Sequence, residues 1–168
     1  MRELMDDSVA AYTHALHWSL SGSRAHASKT IEILNDYAQT LKSVEGHDAR
    51  LLVGITGIHF VNAAELIAHS DTEWSVADRE RFAKMLREVL YPVIENFYPR
   101  ANGNWDASMI QTMMGMGIFL DDQSIYQRGV DYFLNGEGNG RLTNYIRPSG
   151  QCQELSLIHI SEPTRRYS

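Results

Sequence analysis

Cysteine is almost missing from this chain. Cys152 stands alone, so no intramolecular disulfide can form, and neither a Cys-x-x-Cys pair nor a Cys/His metal pattern is present. Positive charge is scarce as well: 15 Lys and Arg stand against 21 Asp and Glu, for a net charge of -6. Without a cationic surface to neutralise phosphates, nucleic acid is excluded as the expected partner, and a polyanion gains nothing from long-range steering. No apolar run approaches the roughly 18 residues that suggest a membrane span, so no membrane partner is expected. The first segment, MRELMDDSVAAY, lacks the basic start, apolar stretch and cleavage site of a secretory signal. No nucleophile elbow, phosphate-binding glycine loop or Ser/His/Asp arrangement stands out, and no cofactor or metal is called for. Oligomeric state leaves no mark in the sequence.

What is present is helical periodicity. At 168 residues and 43% hydrophobic, the chain suits one domain with a real core. Val9, Tyr12, Ala15, Leu16 and Leu20 form a first apolar stripe ending at Gly22. Ser23 is placed to cap a second helix striped by Ala27, Ile31, Leu34, Ala38 and Leu41. After a break at Glu45 to Asp48, a third helix runs from about Ala49 to His69, where Gly54, Gly57, Ala63 and Ala64 permit close approach of neighbours. The fourth starts after Ser75 with Phe82, Leu86, Val89 and Leu90, and Pro92 should kink it or end it at Tyr91. Pro99 to Asn104 reads as a loop, then come helices over about Trp105 to Leu120 and Gln123 to Leu134, with a glycine-rich irregular segment after Asn135. Met109, Met113, Met114 and Met116 read as flexible core filling.

A shift of one hundred residues superposes Leu20 on Leu120, Ile33 on Phe133, Leu34 on Leu134 and Asn35 on Asn135, each within a helix-turn-helix unit. Repeated hairpins bury their apolar faces by stacking on neighbours, and a ring of them is an α/α toroid with loops around a central groove. The expected fold is therefore all-α, an incomplete α/α toroid (barrel) built from helical hairpins, with apolar surface exposed where further helices would dock.

The chemistry-bearing stretch is Asn102 to Glu154. It sets the polar cluster Asn102-Gly103-Asn104-Trp105 before an apolar helix and closes on Ser149-Gly150-Gln151-Cys152-Gln153-Glu154. Amides and flat rings at helix ends are the groups that grip a sugar chain, through hydrogen bonds to hydroxyls and stacking on pyranose faces; they equally serve caps and turns. Asn-Gly is a strong turn former, and Asn104 could cap the helix that follows. His59, Asn62 and Glu65 share a helix face, without the His-x-x-x-His spacing of a zinc site. Any local positive potential must come from residues such as Arg100, Arg141 and Arg147.

This stretch, the Gly136-Glu137-Gly138-Asn139-Gly140 loop, ALHWSLSGSRAHASKTIEILNDY at Ala15 to Tyr37 and GIHFVNAAELIAH at Gly57 to His69 together resemble the alginate-lyase superfamily of α-helical polysaccharide lyases. The likeness spans nearly all of Asp7 to Glu154, the glucuronan-acting branch being nearest, because Asn102-Gly103-Asn104 stands where the alginate enzymes carry Asn-Asn-His. It implies an anionic polysaccharide substrate, export to the periplasm or cell exterior, and β-elimination. That reaction needs the C6 carboxylate neutralised, a base for the C5 proton and an acid for the departing C4 oxygen. Matched by position, Asn104 is the candidate for neutralisation with Asn102 as its helper; Tyr145, lying between the two polar clusters, is the retained tyrosine for proton transfer. Trp105 is then a sugar-stacking ring or else a core anchor; Arg147 pairs with a substrate carboxylate or is a solvated surface residue; Gln151, Gln153 and Glu154 line the cleft or an exposed loop. The rival expectations are an α/α-barrel glycoside hydrolase, for which Asp106, Glu137 and Glu154 offer the two carboxylic acids, and a non-catalytic helical glycan-binding module.

From Leu155 the sequence LSLIHISEPTR resembles the in-frame translation of a transposase adapter used in preparing DNA sequencing libraries. The expectation is a natural domain over 1-154 and a non-native tail over 155-168, with the family's base and arginine falling past Glu154 in the parent protein and this piece inactive alone. Removing the tail's Arg165, Arg166 and Glu162 moves the net charge to 13 − 20 = −7. Relatives also carry sequence before Met1, which reconciles the expected export with the missing signal.

Overall fold

The computed structural model describes residues 2-153, and Glu154 together with the adapter-like tail lies outside them. Helices α1 (Arg2–Ser21), α2 (Arg24–Thr40), α3 (Ala49–Ala68), α4 (Val76–Met85), α5 (Tyr91–Ile94), α6 (Gly103–Phe119), α7 (Gln123–Asn135) and α8 (Leu142–Tyr145) account for the regular structure. Among the described residues there is no strand, only an isolated bridge between Ile146 and Cys152. The fold is all-α.

Short turns make successive long helices alternate in direction, so α1, α3 and α6 run the same way. Ser8 of α1 meets His59 of α3, and ten residues on Trp18 donates to Ser70 at 2.9 Å, just past the end of α3. Along the next seam Gly54 and Gly57 of α3 face Ser108 and Thr112 of α6, while Val61 faces Gly115. The expected close approach is real: a methyl on Gly54 would overlap the Ser108 hydroxyl, and Thr112 Oγ1 donates to the Gly54 carbonyl at 2.6 Å. The second layer, α2, the α4-to-α5 segment and α7, packs against these three.

α3 is the centre of the sandwich, flanked by α1, α5 and α6, and eleven of its residues are buried. Its 20 residues are long and apolar enough to cross a membrane. The sequence reading missed this by counting uninterrupted apolar runs. Burial against neighbours on several sides accounts for such an all-round apolar helix inside a protein. Phe60, Val61 and Ile67 from α3 join Phe82, Leu86, Leu90 and the methionines Met109, Met113 and Met116 in the core. The methionines are therefore core filling, as expected, with Met114 half-buried beside them.

Three expectations need correcting. The inward stripe of α1 is Leu4, Ser8, Ala11 and Ala15, whereas Val9, Leu16 and Leu20 face outward, Leu20 at 88% exposure. Small residues face α3 because the helices lie close, and size was not part of the periodicity count. The hundred-residue shift does align the α1–α2 hairpin with α6–α7, but not residue environments: Leu34 is fully buried and Leu134 exposed. At Pro92 the helix neither ends nor waits to adjust. A five-residue π segment, Leu86–Leu90, precedes it, and Tyr91 N–H bonds to Leu86 O. Proline has no N–H and its ring crowds the carbonyl four residues back; widening the preceding turn accommodates both, and helix resumes through Ile94.

Candidate functional site

The N-terminal ends of α3 and α6 open on one end of the molecule. α6 begins at Gly103, two residues before the expected start, so Asn102 occupies the N-cap position and Asn104 the helix's second residue. Asn102 makes no side-chain cap hydrogen bond; its carbonyl accepts from Trp105 N–H at 3.0 Å. Both asparagines are exposed, while Gly103 between them is buried.

Gly103 is buried because the glycine-rich loop folds back onto it. Asn139 Nδ2 donates to Ala101 O at 2.8 Å, Asn144 Nδ2 donates to Gly138 O at 3.0 Å, and the Tyr145 ring lies where a Cβ on Gly103 would stand. Sequence spacing of over forty residues is thus closed: Asn102, Asn104 and Tyr145 share one end of α6.

Beneath the loop sits Asp106, completely buried. Its carboxyl accepts from Tyr98 N–H at 2.8 Å and from the Tyr132 hydroxyl at 3.0 Å. Gly138 and Gly140 lie directly against it, and any side chain at either would overlap it. Tyr132 in turn stacks on Phe97, with ring centroids 3.6 Å apart. Burial, and then the Asp106 carboxylate, push the Tyr132 hydroxyl well above the ordinary tyrosine range. Asp106 is therefore the brace between the loop, the residues before α6 and α7. A hydrolase dyad built on it would require it to face the cleft, and it does not; Glu137 is exposed on the loop.

Trp105, half-buried, extends the asparagine cluster toward α3. Its ring centroid lies 5.6 Å from that of Tyr98 and 6.2 Å, edge to face, from His47. The Arg50 guanidinium lies 5.0 Å over the Tyr98 ring. Sequence reasoning missed His47, Arg50 and Tyr98. No local signal marked them, because the α3-to-α6 register, Gly54 on Ser108, is a tertiary fact; carried one turn back, it aligns Arg50 with Asn104 at the starts of parallel neighbours.

The remaining candidates stand elsewhere. Arg147 and Gln151 are exposed and joined through the main chain, Arg147 N–H to Gln151 O at 3.0 Å. Gln153 is half-buried next to the Ile146 to Cys152 bridge, and Glu154 is outside the described residues. Arg100 is exposed, and Arg141 donates to Leu134 O at 3.1 Å. His59 is held by Ser8 at 3.2 Å and stacks on Tyr12, and Glu65 pairs instead with His69 at 3.1 Å, so this face has no common focus. Among the described residues no group of three or more His, Cys, Asp or Glu is arranged to hold a metal ion.

Amide donors, a tyrosine hydroxyl, two flat rings and an arginine at one end of a helix, whose N-terminus carries partial positive charge, can hold an anionic, ring-shaped ligand. The sequence model of one family, described as Alginate lyase, matches residues 1-156. No curated protein and no solved structure matches.

Proposed function

The chain belongs to the alginate lyase family, and from that premise we propose that it carries the charge-neutralising wall of a polysaccharide lyase that cleaves a uronic-acid polymer by β-elimination. The observation that carries this reading is the convergence of Asn102, Asn104 and Tyr145 around Gly103 at the start of α6. In the proposed chemistry Asn104, assisted by Asn102, donates to the C6 carboxylate of the sugar and to the enediolate that develops when the C5 proton leaves. The positive end of α6 favours the same charge. Tyr145 exchanges the proton, as base toward C5 or acid toward the C4 oxygen, and the C4–O bond breaks as the C4–C5 double bond forms. Trp105 stacks on a neighbouring ring.

The polymer is glucuronan, alginate or a similar polyuronate, reached in the periplasm or outside the cell. The proposal includes the wider architecture: the two layers form an arc of an α/α toroid, and residues 1-154 form the domain that carries the site. Turnover is measured on the full-length protein. A lyase generates an unsaturated uronate that absorbs in the ultraviolet, and Asn104→Ala lowers its rate by about 100-fold or more. Release of reducing ends without that absorbance contradicts the proposal.

A further inference from the structure

Arg50 is half-buried, and its guanidinium forms no ion pair among the described residues. Asp48, two residues before it, lies 3.9 Å from His47, and the buried Asp106 accepts from Tyr98 N–H and the Tyr132 hydroxyl. What Arg50 does have is a platform: the Tyr98 ring at 5.0 Å, itself packed 5.6 Å from Trp105 and fixed through its main chain to Asp106. A stacked guanidinium keeps its in-plane donors free for a carboxylate, which it can grip through two parallel hydrogen bonds.

The neutral amides of Asn102 and Asn104 hydrogen bond to a hydroxyl or to a carboxylate, so on their own they discriminate weakly between a neutral sugar and a uronate. A fixed positive charge discriminates strongly. We propose that Arg50, seated on Tyr98 and in register with Asn104, is the specificity residue of this site, binding the carboxylate of the sugar that lies against Trp105 and selecting uronates over neutral glycans. This inference rests on the polyuronate reading and adds to it the residue that reads charge.

The test is a pair of titrations of the purified chain, by calorimetry, with a glucuronate oligomer and with a cello-oligosaccharide of the same length, which differ at C6. The wild-type chain should bind the glucuronate oligomer more tightly, with an affinity that falls as salt rises. Arg50→Ala should weaken glucuronate binding by about tenfold to a hundredfold, leave cello-oligosaccharide binding unchanged, and flatten the salt dependence. Arg50→Lys should restore the salt dependence and part of the affinity, because charge returns without the planar fork. A merely structural Arg50 predicts equal loss for both sugars, and that result, or unchanged glucuronate binding in Arg50→Ala, overturns this inference alone. A wild-type chain that does not bind the glucuronate oligomer overturns the polyuronate reading and this inference with it. Should the alanine variant not fold, Arg50→Lys and the wild-type salt dependence decide the question, since a salt-independent preference contradicts a charge-reading residue.

Discussion

Asp106 shows how one side chain can settle the geometry of a site that it does not face. With its two partners left without their acceptor, Asp106→Ala should destabilise the protein by roughly 2 to 6 kcal/mol in urea unfolding, each orphaned group costing about 1 to 3 kcal/mol. Asp106→Asn should cost much less, because its oxygen still accepts from Tyr98 N–H while its amide donates to the Tyr132 hydroxyl. Equal losses in the two variants would contradict the bracing role. The histidines make a separate prediction. Burial holds His59 below the usual 6.5, and burial followed by His26, Lys29 and His17 does the same to His14. The unfolded chain therefore takes up protons at higher pH than the folded one, so stability is full above 6.5 and falls as pH drops through that value. Urea midpoints measured at pH of about 7.5 and about 5.5 should show that fall, and a His14→Asn/His59→Asn double variant should show less of it. The lowered pKa values of Asp78 and Asp122 act in the same direction only at more acidic pH, below their usual 3.8. Among single residues, the motif position of Asn102 and Asn104 and the place of Tyr145 between polar clusters marked them as candidates, whereas the burial of Asp106, offered as a hydrolase carboxylate, left no sign, since nothing local states that a loop thirty residues on will cover it. Phe97, at φ 49° in the left-handed region, was equally silent, because only tertiary packing holds a phenylalanine there.

Helices were legible because apolar spacing and breakers are local signals; faces and joints were less so. The Glu45 to Asp48 break, the helix start after Ser75 and the Gly54/Gly57 approach are all found in the structure, and Ser75 accepts from Asp78 N–H as the cap of that helix. The inner face of α1 was misread because alanine and serine, the residues that let it approach α3, weigh little in a hydrophobic stripe. Ser23, expected as a cap, stands at the N-cap position of α2 but contributes only its carbonyl, to His26 and Ala27 N–H. The seam between α3 and α6 offers the element-level prediction. Gly54→Val inserts side-chain atoms where the Ser108 hydroxyl already lies, so it should lower stability by about 1 to 3 kcal/mol or more. Since the seam aligns the starts of α3 and α6, the same variant should weaken glucuronate binding even under conditions where it remains folded, as read by calorimetry beside circular dichroism. Unaltered binding in a destabilised but folded variant would separate the seam from the site.

At the scale of the molecule, three parallel helices backed by a second layer bring their N-terminal ends, with the loops before α3 and α6, to one end. The all-α class and the hairpin order follow from sequence periodicity, and the hundred-residue shift gave the right hairpin correspondence though not the right burial. Met5, Val9, Leu16 and Leu20 form an exposed apolar stripe along α1, at one edge of the inner layer. The sequence anticipated uncovered apolar surface but could not place it, because its count assigned that stripe to the core. The candidate site at the helix ends was half legible: its α6 side through a motif, its α3 side not at all, because His47 and Arg50 belong to no motif and meet Trp105 and Tyr98 only once α3 and α6 pack in register. The most direct measurement is the ultraviolet absorbance of glucuronan and alginate digests made with the full-length protein, wild type beside Asn104→Ala. The account predicts growing absorbance from an unsaturated uronate, cut by about 100-fold or more in the variant; new reducing ends with no such absorbance, or a variant as fast as wild type, would contradict it.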